Sequence, residues 1–287
     1  MRFVHCVLMV VLFSLNLCDT CIADDTTKPA HRISKDILYR NDDGSLTDSM
    51  KARCRLDIKS PMEGSGHPVV VWFHGGGLTG GTRSFPSELN RRDLVVVTVE
   101  YRLHPDVRAP AYIEDAAASV AWVFQHIAEY GGSADRIVVS GHSAGGYLGS
   151  MVGLDKSYLA AYNVDANRIA GLAPFSGQMI THFTIREERG VEKTRPVVDA
   201  YAPLNHVRKD APPILLVTGD RELEMLGRYE ENAYMWRMLK IVEHTDVQLH
   251  ELDGFDHGGM AAPAFPLLMK FVDRVTNVSQ KTADDSK

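Results

Sequence analysis

Cysteine is scarce in this chain. Of four cysteines in 287 residues, Cys6, Cys18 and Cys21 stand in the first 21 positions and only Cys54 lies beyond them. With the N-terminal segment removed, an internal disulfide is excluded and Cys54 reads as a half-buried strand thiol. Positive charge is not in excess either. The 31 Lys and Arg against 37 Asp and Glu leave a net charge of -6, so there is no basic face for nucleic acid. The apolar run at the N-terminus, Val7 to Leu17, is well short of the roughly 20 residues that a membrane-spanning helix needs. It follows Met1-Arg2 and precedes the small residues Cys21 and Ala23, the arrangement of a secretory signal peptide over residues 1–23. That reading implies a secreted or periplasmic protein without stable membrane insertion. There is no H-E-x-x-H motif, no Cys/His cluster of metal-ligand spacing and no internal repeat, so neither a metal nor a cofactor is expected.

What remains is a chain with 45% hydrophobic and 24% charged residues, suited to one large globular domain or two small ones. Residues 24–34 are polar and read as a flexible leader, 35–276 as the folded domain, and 277–287 as a polar tail holding the glycosylation-type triplet Asn277-Val278-Ser279. Residues 36–40 and 51–59, separated by the turn signal Asn41-Asp42-Asp43-Gly44, read as an edge hairpin. Continuous apolar runs at 69–73, 94–99, 137–139 and 214–217 have the character of strands covered on both faces. Helical patterns at 112–130, 144–154 and 228–242 lie between and after them, and a strand at 247–252 and a helix near 263–275 end the order. Such alternation predicts an α/β fold, a mostly parallel sheet with helices on both faces, whose ligands bind beyond the carboxyl ends of the strands.

The centre of the pattern is Val138-Val139-Ser140-Gly141-His142-Ser143-Ala144-Gly145-Gly146-Tyr147. A buried strand breaks at a glycine, presents one serine and continues through small residues into a helix, as in the Gly-x-Ser-x-Gly nucleophile turn. The N–H of Ala144 then faces the reaction at a helix N-terminus. Upstream, the strand at 69–73 ends in His74-Gly75-Gly76-Gly77, a run that lets main-chain N–H groups turn inward to stabilise an oxyanion, with His74 holding the loop. Ser143 needs a base, and the base an orienting carboxylate. His257 in Asp253-Gly254-Phe255-Asp256-His257-Gly258-Gly259 and Asp220 in Thr218-Gly219-Asp220 each follow a strand, and both fit the order nucleophile, acid, histidine. Asp253 and Asp256 rival Asp220 by nearness in sequence to His257, and Glu222 is the remaining candidate. His182, His206, His244 and His250 read as surface or packing residues.

These motifs, with Val99-Glu100-Tyr101-Arg102-Leu103 and Ile113-Glu114-Asp115-Ala116, resemble an α/β-hydrolase of the HGGG-bearing carboxylesterase group related to hormone-sensitive lipase, and in particular secreted acetyl-xylan and feruloyl esterases. The resemblance covers 69–275. It implies a triad of Ser143, Asp220 and His257, oxyanion N–H groups from Gly76, Gly77 and Ala144, and no cofactor. Arg102 reads as holding a strand exit and Asp115 as favouring a helix N-terminus. The chain departs from the group at His142, where Asp or Glu is frequent, and at His104-Pro105-Asp106. An insertion at 178–211, with Met179, Phe183 and Tyr201, reads as a short cap. With no long apolar lid, the expected substrate is a small-molecule or polysaccharide ester with a short or aromatic acyl group. A kynurenine formamidase-like arylformamidase and a non-catalytic binding module are the other two readings.

Overall fold

The computed structural model describes residues 31–41 and 43–284. The signal-peptide reading of 1–23 lies outside the described residues, as do 24–30 of the expected leader. Strand β1 (His31–Leu38) already begins at His31 and pairs with β2 (Arg55–Pro61) in antiparallel register, His31 opposite Pro61 and Leu38 opposite Arg55. The part of the leader from 31 to 34 is therefore an edge strand. Helix α1 (Asp48–Arg53) occupies the start of the stretch expected as the second hairpin strand, because Thr47 caps Met50 N–H and stabilises a helical turn there.

Strands β3 (His67–Phe73), β4 (Val95–Val99), β5 (Gly132–His142), β6 (Gly171–Phe175), β7 (Ile214–Gly219) and β8 (Val247–Leu252) complete one eight-stranded sheet in the order β1-β2-β4-β3-β5-β6-β7-β8. β2 runs antiparallel to β4, and from β4 through β8 every pairing is parallel. The apolar runs follow from burial on both faces. Val69, Val71 and Phe73 point into one core with α2 (Ala111–His126), α3 (Ala144–Leu154), the short α4 (Lys156–Ala160) and α6 (Arg228–Ile241). Val70 and Trp72 point into the other core, with α7 (Ala261–Asp284). β6 was not foreseen: its sequence Gly-Leu-Ala-Pro-Phe lacks β-branched residues, and only its place between β5 and β7 makes it a strand. The helix expected near 263–275 continues to Asp284, through most of the residues read as a polar tail.

After β3 the chain steps to β4 on one side, and after β4 it crosses back to β5 on the other. The loops leaving β3 and β5 therefore diverge at adjacent strand ends and open a crevice there. Residues 75–77, 143, 176, 224 and 257 all follow carboxyl ends of parallel strands at or beside this point. The insertion at 178–211 is tied down along its length. Met179 N–H and Gln178 donate to Glu231, and Thr181 donates to Asp199 at 2.8 Å. Beyond its short helix α5 (Phe183–Glu188), Tyr147 of α3 donates to the Tyr201 carbonyl at 2.8 Å. The buried Glu188 carboxylate accepts from Ala109 N–H and the Tyr112 hydroxyl. Among the described residues no helix is long and apolar enough to cross a membrane.

Candidate active site

Between β5 and α3 the backbone turns at Ser143, which holds φ 56° and ψ -116°, a conformation that costs a non-glycine residue on the order of 1–3 kcal/mol. Two close approaches create the turn. A Cβ on Gly145 would lie 2.1 Å from the Phe73 carbonyl oxygen, and one on Gly141 would lie 2.6 Å from it, so α3 can start against β3 only with glycine on either side of the serine. Ser143 N–H donates to the Phe175 carbonyl at 2.8 Å, which ties the turn to β6.

The loop after β8 brings His257 to this serine: Nε2 is 2.9 Å from Ser143 Oγ. On the other side of the ring, Nδ1 lies 2.8 Å from Oε2 of Glu224, whose side chain is 1% exposed. Burial alone would raise that carboxyl. Hydrogen bonds from His257, Ser176 and Gly219 N–H outweigh it and hold the group at about 2, so the carboxylate is ionised wherever the imidazole works. A buried anion on Nδ1–H fixes the tautomer that leaves the Nε2 lone pair for the serine proton.

Opposite the serine, residues 75–77 leave β3 in a turn that only glycine can make at position 76. Its φ is 119°, and a Cβ there would meet the Gly80 carbonyl at 2.2 Å. The His74 ring stacks on Tyr101 at 4.3 Å, its Nε2 lies 3.4 Å from Glu100, and the Gly77 carbonyl accepts from Thr184 of α5, so the loop is held at both ends. Among the described residues no acceptor is hydrogen-bonded to the main-chain N–H of Gly76, Gly77 or Ala144. The arrangement can lend a serine proton to an imidazole and offers main-chain donors beside it for a negative oxygen.

A family model described as BD-FAE matches residues 56–171. Among curated proteins, esterase LipC of Mycobacterium tuberculosis is 25% identical over 245 residues, covering 77% of this chain and 59% of LipC. Carboxylic ester hydrolase LipN of the same organism is 39% identical over 98 residues, 32% of this chain and 26% of LipN. The chain thus spans less than two thirds of the length of either relative. Among solved structures, a truncated carbohydrate esterase from gut microbiota has TM-score 0.70 at 16% identity, covering 86% of this chain and 96% of that one. The esterase Est2 of Thermogutta terrifontis has TM-score 0.65 at 21% identity, covering 86% and 93%. The chain has the α/β-hydrolase fold. Its sequence relatives are carboxylic ester hydrolases.

Within this fold the carboxylate on the histidine is not the one expected. Asp220 stands on the exposed turn after β7, where its oxygens accept from Glu222 N–H at 2.8 Å and Gly254 N–H at 2.9 Å. It braces the two loops against each other and does not reach His257. The turn it starts, with Glu224 N–H donating to the Asp220 carbonyl, carries the chain outward and then lets the longer Glu224 side chain fold back to Gly219 N–H and His257. The sequence Asp220-Arg221-Glu222-Leu223-Glu224 holds three carboxylates in five positions, so composition could not choose among them. Glu222 and Asp253 are exposed, and Asp256 accepts from Gly259 N–H at 2.7 Å.

Two further residues take places that local pattern did not indicate. His142 Nε2 lies 2.7 Å from the His257 carbonyl, so the residue before the serine ties the serine turn to the histidine loop. Burial, then the nearby His257, pushes its imidazole down to about 4. Asp115 lies inside α2, fully buried between Arg40 and Arg102, with Arg102 contacting both its oxygens at 2.7 and 2.8 Å. It joins the N-terminal arm to the exit of β4 and does not cap the helix. Cys54 is fully buried, and burial pushes its thiol up to about 11. His182 and His244 are buried packing histidines. The insertion also walls a cavity of about 390 Å³ with Ile180, Leu204, Leu226 and Tyr234; Ser143, Glu224 and His257 do not line it.

Proposed function

We propose that this α/β-hydrolase cleaves carboxylic esters with short or aromatic acyl groups through an acyl-enzyme on Ser143. The observation that carries the reading is the continuous relay Ser143 Oγ, His257 and Glu224, at 2.9 and 2.8 Å, beside three main-chain N–H groups that have no hydrogen-bond acceptor among the described residues. Ser143 Oγ attacks the ester carbonyl carbon as its proton passes to His257 Nε2. The carbonyl oxygen, now negative, is received by the N–H groups of Gly76, Gly77 and Ala144; removing one such donor costs about 3 to 4 kcal/mol of barrier. His257 returns the proton to the departing alkoxide oxygen, and the alcohol leaves. Water then loses a proton to the same nitrogen and attacks the acyl carbon, and as the bond from that carbon to Ser143 Oγ breaks His257 returns the proton to Oγ, freeing the acid and the serine. Glu224 stays ionised throughout and stabilises the imidazolium at each step.

The restriction to small acyl groups is supported by the Phe183 ring, 3.1 Å from where a Gly77 Cβ would be, and by an insertion bonded to α3 and α6 that leaves no long apolar lid. A propionate-bound structure of the Thermogutta terrifontis esterase, TM-score 0.63 at 20% identity, is in keeping with a short acid at such a site. The carbohydrate esterase from gut microbiota supports a sugar alcohol as leaving group. We further read residues 1–23 as an export segment, on the apolar run from Val7 to Leu17, which makes the substrate an extracellular or periplasmic ester. The test is a p-nitrophenyl ester series from acetate to palmitate, with methyl ferulate alongside. Acetate turns over fastest and Ser143→Ala abolishes turnover; faster cleavage of palmitate than acetate overturns the acyl preference, and turnover surviving in Ser143→Ala overturns the mechanism.

A further inference from the structure

Ser176 follows β6 with φ 44°, a left-handed value rare for a residue with a side chain, and is fully buried. Its main chain is held on both sides: N–H donates to the Val217 carbonyl at 2.7 Å, and the carbonyl accepts from the guanidinium of Arg228. Arg228 is itself fully buried, and its Nε and Nη2 find no other hydrogen-bond partner among the described residues. This strained, tethered backbone aims one hydroxyl at the relay. Ser176 Oγ is 2.6 Å from Glu224 Oε1 and 3.0 Å from His257 Nδ1.

From this geometry we infer that Ser176 is a positioning residue of the relay, its hydroxyl locking the Glu224 carboxylate so that Oε2 faces His257. The inference rests on the hydrolase reading above. The donors assign themselves. Nδ1–H points to Glu224 Oε2, so the Ser176 proton goes to Oε1, and the serine lone pair is left facing Nδ1–H. The imidazole proton is thereby held between two acceptors, and the lone pair of Nε2 stays on the Ser143 side. The terminal torsion of a glutamate is broad, and here the acid is four residues further along the loop than the aspartate at the strand end. Gly219 N–H, at 2.9 Å from Oε1, is the only other donor to that oxygen among the described residues; Met225 N–H, from the adjoining residue, donates to Oε2 at 3.1 Å, so without the hydroxyl Oε1 keeps a single anchor. Ser176 supplies the second anchor.

The test uses Ser176→Gly and Ser176→Ala in the full chain, read by p-nitrophenyl acetate kinetics and by the rate at which a fluorophosphonate probe labels Ser143. Glycine suits φ 44° and removes only the Cβ and hydroxyl, so this variant keeps the wild-type Tm. Both variants lose about tenfold to hundredfold in kcat and in labelling rate with KM unchanged, the range for removing a group that orients a functional ligand. In a Glu224→Gln background the same Ser176→Gly change costs less than about twofold, because the group it positions is gone. Variants that label and turn over at the wild-type rate overturn the inference. So does an equal loss with and without the Glu224 carboxylate, which marks a purely structural serine. A wild-type protein that neither labels nor turns over overturns the hydrolase reading, and this inference with it, whereas a labelling wild type with unaffected Ser176 variants overturns this inference alone.

Discussion

A carboxylate is useful to a histidine only where its oxygen meets the ring, and in this site that demand separates Glu224 from Asp220. The Glu224 side chain is buried and accepts from His257, Ser176 and Gly219 N–H; Asp220 is half-buried and spends both oxygens on neighbouring N–H groups. Glu224→Gln keeps the shape but stabilises the wrong tautomer, and kcat falls by about 10⁴. Asp220→Asn leaves kcat within a few-fold of wild type. Steady-state kinetics of the two variants separates them, and the reverse order of effects returns the role to Asp220. The two residues show the limit of local pattern. Both sit in the segment after β7, both satisfy the order serine, acid, histidine, and they differ only in side-chain length and in where the turn points them.

Among the elements, the serine turn is the one most closely dictated by sequence. Gly141 and Gly145 are needed because β3 passes 2.6 and 2.1 Å from where their side chains would begin. Gly145→Ala drives a methyl group into the Phe73 carbonyl and costs about 3 kcal/mol, at the upper end of ordinary overpacking. Thermal melts read this as a Tm lower by several degrees, with esterase turnover lost because α3 must shift and take Ala144 N–H with it. A Tm equal to wild type overturns the account of the turn. β6 is the opposite case. Gly171 and Pro174 disqualify it by propensity, yet it carries Ser176, and its neighbours supply the pairing that its own residues do not promise.

For the molecule as a whole, two neutral histidines, the half-buried His142 and the fully buried His182, set the response to acid. His142 is pushed down to about 4, first by burial and then by His257, with Arg228 adding to the effect and Glu224 opposing it. His182, fully buried, is lowered by burial and then by Arg228 and Arg186. As pH falls below about 6.5 the unfolded chain takes up protons that the folded protein refuses, so their contribution to stability is complete above 6.5 and declines towards pH 4. Glu224, held at about 2, loses its own contribution only below about 4.5, and the buried Glu231, raised by burial, works in the opposite sense. Denaturant melts of wild type and a His182 variant at pH 7.5 and 5 separate the histidine effect from that of Glu231, which both proteins share. His182→Asn, which can still cap Thr184 N–H, loses less stability between the two pH values than wild type does. An equal loss in both proteins removes His182 from the account.

Residues close together along the chain were sufficient for some features of this protein, and residues far apart decided the others. Runs such as 69–73 announce doubly covered strands because burial on both faces leaves no polar position in the alternation. Glycine at 141 and 145 announces the serine turn because no other residue allows so close an approach, and the His257 loop is marked by its place after a strand. The acid on His257, the hydroxyl of Ser176 aimed at that acid, the Asp115–Arg40 ion pair and the strand status of β6 depend on partners 33 to 81 positions away. Those partners meet only once the sheet has aligned the strand ends. Local preference can set a strand or a turn, but the direction in which a loop returns a side chain is set by what is packed beneath it.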